Sequence, residues 1–234
     1  MTAPLKALVT GAAKAGSIGQ AVVARLRADG MEVVTLDRDP GCTWQLDIAS
    51  DLLPDLSDID VYIGNAALTT VFGAAHTMDL ARWEKDLQVN LTGTFRVLQA
   101  VLGGMRERRF GRIVLTSSTA AIVGLPGQVS YSTTKAGLLG MIKTVAAETV
   151  GLGITANAVL PGMTASSGVL SMPTDIVRAW RESMPAGMVE PGEIAAAVGF
   201  FASPAASGVT GQYLIVDRGD GLNTRSVTAS VVPR

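Results

Sequence analysis

The chain has 234 residues, 48% of them hydrophobic and 17% charged, and a formal net charge of −1. Such a chain can bury a large core, which excludes a disordered protein, and no long basic run points to a nucleic-acid partner. The single cysteine excludes an internal disulfide, Met1–Lys6 lacks a signal-peptide pattern, and no apolar run reaches the roughly 18 residues of a membrane span, so we expect a cytoplasmic protein without membrane contact.

Short apolar strands alternate with longer helical stretches along the chain. In order, we predict a strand at Lys6–Thr10, a helix at Ile18–Asp29, a strand at Glu32–Asp37, a weak strand at Thr43–Leu46 and a strand at Val61–Gly64. There follow a helix at Asp79–Arg108, a strand at Arg112–Thr116, a helix at Ser130–Val150, a strand at Thr155–Leu160, helical turns at Thr174–Ser183, a helix at Gly192–Phe201 and a strand at Gln212–Val216. Apolar strands without polar alternation are typical of a parallel sheet covered on both faces, and the regular alternation predicts a doubly wound α/β fold.

A glycine-rich turn follows the first predicted strand and leads directly into a helix. Gly11 permits the tight turn, Gly16 allows a pyrophosphate to approach the backbone, and Gly19 allows the helix to pack close to the sheet. Ser17 and Ile18 open the helix, whose first N–H groups are free to bind phosphates. The strand before the turn and the helix after it therefore predict a dinucleotide site.

Asp37 closes the second predicted strand, 18 residues after Gly19. A carboxylate there can accept hydrogen bonds from an adenosine ribose, although a solvated carboxylate at a strand end is the plainer interpretation. Asp37 would bond a free 2′-hydroxyl and repel a 2′-phosphate, so we predict NAD as the cofactor rather than NADP. Arg38 and Lys14 favour NADP, since either could pair with the phosphate.

Tyr131 and Lys135 are four residues apart near the start of a predicted helix, which places the phenol and the ammonium on one face. The pKa of a free tyrosine is near 10, and an adjacent cation favours its phenolate, so we expect Lys135 to lower the pKa of Tyr131. Ser118 follows the strand before this helix. Its hydroxyl could hydrogen-bond a substrate oxygen on which charge develops.

The order of these residues along the chain resembles the pattern of the short-chain dehydrogenase/reductase family. The resemblance covers nearly the whole chain. The resemblance implies that Ser118, Tyr131 and Lys135 are catalytic and that Asn90 completes a tetrad. It implies further cofactor contacts from Asp47 and Ile48 at the adenine, Asn65 and Ala66 after the fourth strand, and Pro161, Gly162, Met163 and Thr164 beside the nicotinamide.

The resemblance also implies an architecture and a mechanism. We expect one Rossmann-like doubly wound domain over residues 1–222, with a substrate lid at about 163–190, a partly disordered tail at 223–234 and assembly as a homotetramer. The nicotinamide would exchange a hydride with the substrate carbon while Tyr131 exchanges a proton with its oxygen. Ser118 would orient that oxygen, Lys135 would bind the nicotinamide ribose, and Asn90 would hold a water that links Lys135 to solvent.

Two features of the sequence depart from the common pattern of the family. The glycine turn is two residues longer than usual, as in the family's enoyl-reductase branch, but the spacing of Tyr131 and Lys135 does not match that branch, so we do not expect enoyl reduction. Gly64 occupies the usual first asparagine of the Asn-Ala-Gly motif. Among the histidines and cysteines, His76 and Cys42 are single residues without a ligand cluster, and we expect no metal.

The substrate is a small-molecule ketone or secondary alcohol in this interpretation. The predicted lid is rich in methionine and other apolar residues, which suit an apolar ketone, and Trp180 and Met184 are expected to pack the lid against the domain. A 3-oxoacyl thioester is an alternative, although Arg109 matches only one of two carrier-docking arginines and Leu152 occupies the other position. Two further interpretations are a dihydrodiol dehydrogenase and a non-enzymatic cofactor sensor on the same fold. The apolar lid positions are Met163, Val169, Leu170, Met172, Trp180, Met184 and Met188.

Overall fold

Parallel strands form the centre of the structure, a computed structural model that describes residues 3–69, 72–184 and 186–222. The described strands are β1 (Lys6–Thr10), β2 (Glu32–Asp37), β3 (Trp44–Gln45), β4 (Val61–Gly64), β5 (Gly111–Thr116), β6 (Ile154–Pro161) and β7 (Tyr213–Val216). They pair in the order β3-β2-β1-β4-β5-β6-β7, and every pairing is parallel. The predicted doubly wound sheet is therefore confirmed.

The chain reverses direction across the sheet between β1 and β4. After β1 it adds β2 and β3 on one side, and it then returns to place β4 on the other side of β1. The loops that follow β1 and β4 leave the sheet in opposite directions, which opens a crevice at their carboxyl ends. This topological switch point is where an open α/β sheet binds ligands.

Helices cover both faces of the sheet. Their bounds are α1 (Ile18–Ala28), α2 (Leu80–Leu87), α3 (Thr94–Arg108), α4 (Ala120–Val123), α5 (Val129–Glu148), α6 (Ser167–Leu170), α7 (Thr174–Ser183) and α8 (Pro191–Ala202). On one face α1 and α8 bury Val22 and Val198 in a core that includes Val9 of β1. On the other face α3 and α5 bury Val101 and Leu138. Burial on both faces explains why the strands are apolar throughout.

The helix predicted at Asp79–Arg108 is interrupted by a wider turn. A π-helical turn at Gln88–Gly93 separates α2 from α3, and Asn90 lies within it. A π turn inserts a residue without ending the helix, so the hydrophobic pattern continues through it and does not reveal it. The prediction of one regular helix was wrong at this point, and the irregularity coincides with a predicted site residue.

Smaller differences occur at several other elements. The weak strand predicted at Thr43–Leu46 is reduced to β3, and the short helices α4 and α6 were not predicted because four residues are too few for a periodic signal. The predicted tail, 223–234, lies outside the described residues. In the part of the chain that is described, no helix is long and apolar enough to cross a membrane.

Candidate active site

A cleft of about 950 Å³ opens at the carboxyl ends of the strands, at the switch point. The loops after β1, β2, β4, β5 and β6 all contribute to its wall, which brings residues from across the sequence together. The predicted site residues that line it are Gly11, Ser17, Ile18, Asp37, Arg38, Asp47, Ile48, Asn65, Ala66, Ser118, Tyr131, Lys135, Pro161, Gly162, Met163 and Thr164. Three predicted residues, Gly16, Gly19 and Asn90, are not part of this wall.

The glycine turn has the geometry that a dinucleotide requires. Gly11 has a φ of 73°, and a side chain there would meet the Cα of Ala66 at 2.6 Å. A side chain on Gly19 would collide with the carbonyl of Gly11. Ser17 caps α1, because its side chain accepts a hydrogen bond from the amide of Gln20 at 3.2 Å. The positive end of α1 therefore lies at the cleft beside a turn in which Gly11 leaves the backbone open, and these residues fit a pyrophosphate.

Asp37 has a structural role that the sequence analysis did not foresee. One carboxylate oxygen accepts a hydrogen bond from the amide of Ala13 at 3.0 Å, and the other accepts one from the amide of Asp39 at 3.1 Å. Each oxygen can still accept a second bond from the cleft, so these contacts orient the carboxylate without excluding a ribose. The neighbouring Arg38 is exposed, and its guanidinium lies 3.7 Å from Asp39.

Asn65 joins the two strands that diverge at the switch point. Its backbone N–H donates to Thr10 Oγ1 at 3.0 Å, and its side-chain Nδ2 donates to the carbonyl of Gly11 at 3.0 Å. Ala66 also donates to Thr10 Oγ1, at 3.2 Å. The hydrogen bonds of Asn65 and Ala66 therefore hold the end of β1 against the end of β4, and this contact supports the cleft.

The predicted adenine pocket lies at the far end of the cleft. Asp47 forms a local turn in which its carboxylate accepts from the amide of Ala49 at 2.8 Å. Ile48 is 4% exposed and packs on Gly93, where a side chain would meet it at 2.8 Å. An apolar wall next to a half-buried carboxylate suits the flat face and the amino edge of an adenine.

Ser118, Tyr131 and Lys135 converge where β5 meets the first turns of α5. Tyr131 and Ser118 both line the cleft, and the Ser118 hydroxyl is among the groups that influence the pKa of the phenol. Lys135 is 3% exposed, and its ammonium donates to the carbonyl of Thr116 at 2.7 Å. Ser117 Oγ donates to the carbonyl of Lys135 at 2.7 Å, so two hydrogen bonds hold α5 against the end of β5. The predicted catalytic residues are therefore brought together.

The pKa of Tyr131 differs from the one expected from the sequence. Burial raises the pKa of Tyr131, the hydrogen bond with Ser118 lowers it, and the charge of Asp86 raises it. Burial also lowers the pKa of Lys135 to about 8. The ammonium of Lys135 lies 5.6 Å from the centre of the Tyr131 ring and is directed to a backbone carbonyl. The expected lowering of the Tyr131 pKa by Lys135 is therefore wrong for this structure, because desolvation acts on both groups.

Asn90 clamps the loop after β4. Its side-chain oxygen accepts from the amide of Leu68 at 2.7 Å, and its side-chain nitrogen donates to the carbonyl of Leu68 at 3.0 Å and to Thr134 Oγ1 at 3.4 Å. These bonds use both N–H groups of the side chain. The predicted water relay from Asn90 to Lys135 stays a prediction, and any such water would need a contact other than these N–H groups.

The segment after β6 closes one side of the cleft. Pro161 ends β6, and Gly162 packs so tightly on Asp217 that a side chain would meet the Cβ of that residue at 2.7 Å. Thr164 is 5% exposed, and its hydroxyl donates to the carbonyl of Gly162 at 2.9 Å. Further along, the amide of Ser167 donates to the carbonyl of Gly16 at 2.9 Å, which joins the lid to the glycine turn.

Several cleft residues were missed by the sequence analysis. Ser166 and Ser167 line the cleft near Ser17, and a run of two hydroxyl residues after Pro161-Gly162 was the only available signal. A group of exposed apolar residues also lines the cleft, and no motif in the sequence marked it. It consists of Phe72, Val123, Leu125 and Pro126.

The lid residues that line the cleft are not all the ones that were expected to do so. Met163, Val169 and Met172 line the cleft as expected, but so do Trp180 and Met184, which were predicted to pack the lid against the domain. Leu170 is 45% exposed and Met188 is buried, and neither is part of the cleft wall. Within the described ranges, no group of three or more histidine, cysteine or carboxylate side chains could hold a metal ion.

Comparisons with known proteins agree with this geometry. A family model described as "Enoyl-(Acyl carrier protein) reductase" matches residues 45–220. The chain is 31% identical to 3-oxoacyl-[acyl-carrier-protein] reductase FabG of Vibrio cholerae, with 91% of this chain and 96% of that protein covered. It is 33% identical to acetoacetyl-CoA reductase of Rhizobium meliloti, with 91% and 97% covered.

A solved structure supports the same relationship. An oxidoreductase of the short-chain dehydrogenase/reductase family from Burkholderia thailandensis superposes with a TM-score of 0.81 at 32% identity, covering 95% of this chain and 94% of that one. The chain belongs to the short-chain dehydrogenase/reductase family of NAD(P)-dependent oxidoreductases.

Proposed function

We propose that this enzyme exchanges a hydride between NAD(H) and a ketone or secondary alcohol, with Tyr131 as the general acid and base. The observation that carries the proposal is the convergence of Tyr131, Ser118 and Lys135 on a cleft whose other end is the glycine turn at α1. An acid/base group and a dinucleotide site at the two ends of one cleft are what hydride transfer to a carbonyl requires.

The side chains divide the work between proton transfer and orientation. When bound, the dinucleotide supplies or accepts the hydride. Tyr131 gives its proton to the substrate oxygen in reduction and removes it in oxidation. Ser118, which lines the cleft together with Tyr131, donates to the same oxygen and stabilises negative charge on it. Lys135, whose ammonium donates to the Thr116 carbonyl at 2.7 Å, would hold the nicotinamide ribose.

The preference for NAD rests on Asp37. Its carboxylate lines the cleft at the end of β2 and is held by the amides of Ala13 and Asp39. A 2′-phosphate would meet this fixed negative charge, whereas a 2′-hydroxyl would donate to it. Arg38 and Lys14 also line the cleft and would favour the phosphate, but the nearest carboxylate to Arg38, on Asp39, offsets part of its charge.

The substrate side of the cleft supports an apolar carbonyl compound. Phe72, Val123 and Leu125 are 45%, 72% and 41% exposed, and all three line the same cleft as the lid methionines. Exposed apolar side chains that line a cleft are stabilised when an apolar ligand removes them from water. Cyclic and aryl ketones, and the corresponding secondary alcohols, are therefore the proposed substrates.

A 3-oxoacyl thioester is the second candidate, and the similarity to 3-oxoacyl-[acyl-carrier-protein] and acetoacetyl-CoA reductases favours it. Turnover is measured at the nicotinamide absorbance with NADH and NADPH, against cyclohexanone and acetophenone in one arm and acetoacetyl-CoA in the other. Faster turnover of the simple ketones supports the first proposal, and a clear preference for the thioester replaces it with the second. No turnover in either arm, with a folded protein that binds the cofactor, would contradict both.

A homotetramer is the proposed assembly, and the edge of the sheet supports it. Tyr213, Leu214 and Ile215 of β7 are 44%, 42% and 39% exposed, and Phe200 of the adjacent α8 is 44% exposed. Apolar side chains beside the outermost strand of the described part of a sheet are typical of a surface buried between subunits. Light scattering should give a mass of about four chains, and Leu214→Glu, which places a charge on this surface, should lower it.

A further inference from the structure

A carboxylate is buried directly behind the proposed acid/base. Asp86 lies near the end of α2, facing the first turn of α5, and is 1% exposed. Its Oδ2 accepts a hydrogen bond from Ser130 Oγ at 2.5 Å, and Ser130 is itself fully buried and adjacent to Tyr131. Oδ1 is buried and has no hydrogen-bond partner among the residues that the structure describes.

Such a carboxylate is costly, because a buried charge without full hydrogen bonding loses its hydration. The charged and titratable groups that act on it are Arg82 on its own helix and Tyr131 on α5, and Lys135 lies beyond, near the Tyr131 ring. Arg82 is exposed and Lys135 donates to Thr116, so neither forms an ion pair with Asp86 among the described contacts. Packing alone would be served at lower cost by an apolar side chain at this position.

The carboxylate of Asp86 contacts the N-terminus of α5, which lacks a capping side chain of its own. This helix carries Tyr131 and Lys135, but its N-cap residue, Gln128, makes no side-chain capping bond and its first turn contains no acidic residue. The positive end of a helix is stabilised by a nearby carboxylate. Asp86 supplies one from a neighbouring helix and bonds it to the side chain of Ser130 in that first turn.

A second contact one turn further on makes the arrangement rigid. Asn90 lies four residues after Asp86, and Thr134 lies four residues after Ser130. The Asn90 side chain donates to Thr134 Oγ1 at 3.4 Å, parallel to the Asp86–Ser130 bond. Tyr131 is therefore on a helix turn held at both ends by side chains from the same neighbouring segment.

We propose that Asp86 is a positioning residue that holds the first turn of α5 through Ser130 and keeps the Tyr131 hydroxyl protonated through its negative charge. The proposal rests on the proposed role of Tyr131 as the acid/base. A hydroxyl that stays protonated at higher pH extends the range in which the enzyme can give a proton to a carbonyl, and it narrows the range for alcohol oxidation. The charge of Asp86 is among the causes that raise the pKa of Tyr131, after burial and against the Ser118 hydrogen bond.

Two substitutions separate the charge from the hydrogen bond. Asp86→Asn keeps an acceptor for Ser130 and removes the charge, whereas Ser130→Ala removes the bond and keeps the charge. The exposed Glu84 on the same helix provides the matched control, Glu84→Gln. Each protein is titrated by ultraviolet absorbance of phenolate, and the same titration of its Tyr131→Phe counterpart is subtracted, which isolates Tyr131 without any need for turnover.

Asp86→Asn should lower the apparent pKa of Tyr131 by about half a unit or more, because a like charge near a titrating group shifts it by amounts of this order. Glu84→Gln should leave it unchanged. Ser130→Ala should leave the titration close to that of the wild type but lower kcat by roughly tenfold, with little change in KM, since it loosens the turn that carries Tyr131.

An unchanged Tyr131 titration in folded Asp86→Asn overturns the role of the charge, and an unchanged kcat in Ser130→Ala overturns the positioning role. If Asp86→Asn does not fold, the double variant Asp86→Leu/Ser130→Ala replaces the polar pair with apolar groups and should show the same shift. Absence of turnover in the wild type would contradict the proposed function alone, because the titration still decides the effect of Asp86 on Tyr131.

Discussion

At the scale of single residues, Tyr131 is the most direct test of the chemistry. Tyr131→Phe keeps the ring and its packing but removes the proton donor. We expect kcat to fall by about 10²–10⁴-fold, the usual contribution of general acid–base catalysis, while cofactor affinity changes little. Steady-state kinetics with a verified substrate and a fluorescence titration with NADH check the two parts. More than a tenth of the wild-type activity in this variant would remove Tyr131 from the proposed role.

Asp37 tests the cofactor preference, and the structure guides the choice of substitution. Its carboxylate also accepts from the amide of Ala13, so a small replacement would disturb the glycine turn as well as the ribose contact. Asp37→Asn retains an acceptor and removes the charge. We expect the ratio of NADPH to NADH affinity to rise by about tenfold, as repulsion of a phosphate is lost. Calorimetric titration of both cofactors measures it, and tighter NADPH binding by the wild type would contradict the preference itself.

At the scale of elements, the π-helical turn between α2 and α3 has a specific function in the fold. It presents Asn90 to the backbone of Leu68, where the side chain acts as the partner of both the N–H and the carbonyl. These bonds fix the loop after β4 that forms part of the cleft wall. A regular α-helix would shift the following residues around the helix axis, so the irregular turn and the loop depend on each other.

Asn90→Ala should therefore destabilise the protein and loosen the cleft together. Two partly buried backbone groups of Leu68 lose their partners, at a cost of about 1–3 kcal/mol in the free energy of unfolding. Denaturant unfolding monitored by circular dichroism measures the loss. The exposed Thr92 in the same turn provides the control, and Thr92→Ala should be close to neutral. Equal stabilities of the two variants would show that the clamp is unimportant.

At the scale of the whole molecule, the buried Lys135 links stability to pH. Its pKa falls from the ordinary 10.5 to about 8 in the folded protein. Between these values the unfolded chain binds a proton at this residue that the folded chain does not, so stability should increase as the pH rises through the window. The full contribution is up to about 3 kcal/mol. Tyr62 and Tyr131, whose pKa values burial raises, act in the opposite direction only above about pH 10.

Lys135→Met keeps most of the side-chain volume and removes the titrating group. The gain in unfolding free energy of the cofactor-free protein between about pH 7.5 and pH 9.5 should be smaller in this variant than in the wild type, by about 1–2 kcal/mol. Denaturant titrations of both proteins at the two pH values provide the comparison. The same gain in both would mean that Lys135 is not the residue responsible.

The order of the elements and much of the cleft could be predicted because both depend on local pattern. Apolar strands alternating with helices predict a doubly wound sheet, and the glycine turn, Asp37 and the Tyr131/Lys135 pair have fixed spacings along one strand end or one helix face. Because the carboxyl ends of parallel strands meet at one edge, residues just after the strands could be placed together without knowledge of any distance.

The remaining features arise from contacts between distant parts of the chain. Asp86 and Ser130 are 44 residues apart, as are Asn90 and Thr134, and no spacing rule relates such pairs. The raised pKa of Tyr131 likewise depends on what surrounds the hydroxyl after folding. The sequence by itself determined which groups are available for hydride and proton chemistry and on which elements they lie. Only the tertiary structure decided which of them lose water and which partners they meet, because desolvation and long-range hydrogen bonding exist only once the elements have packed.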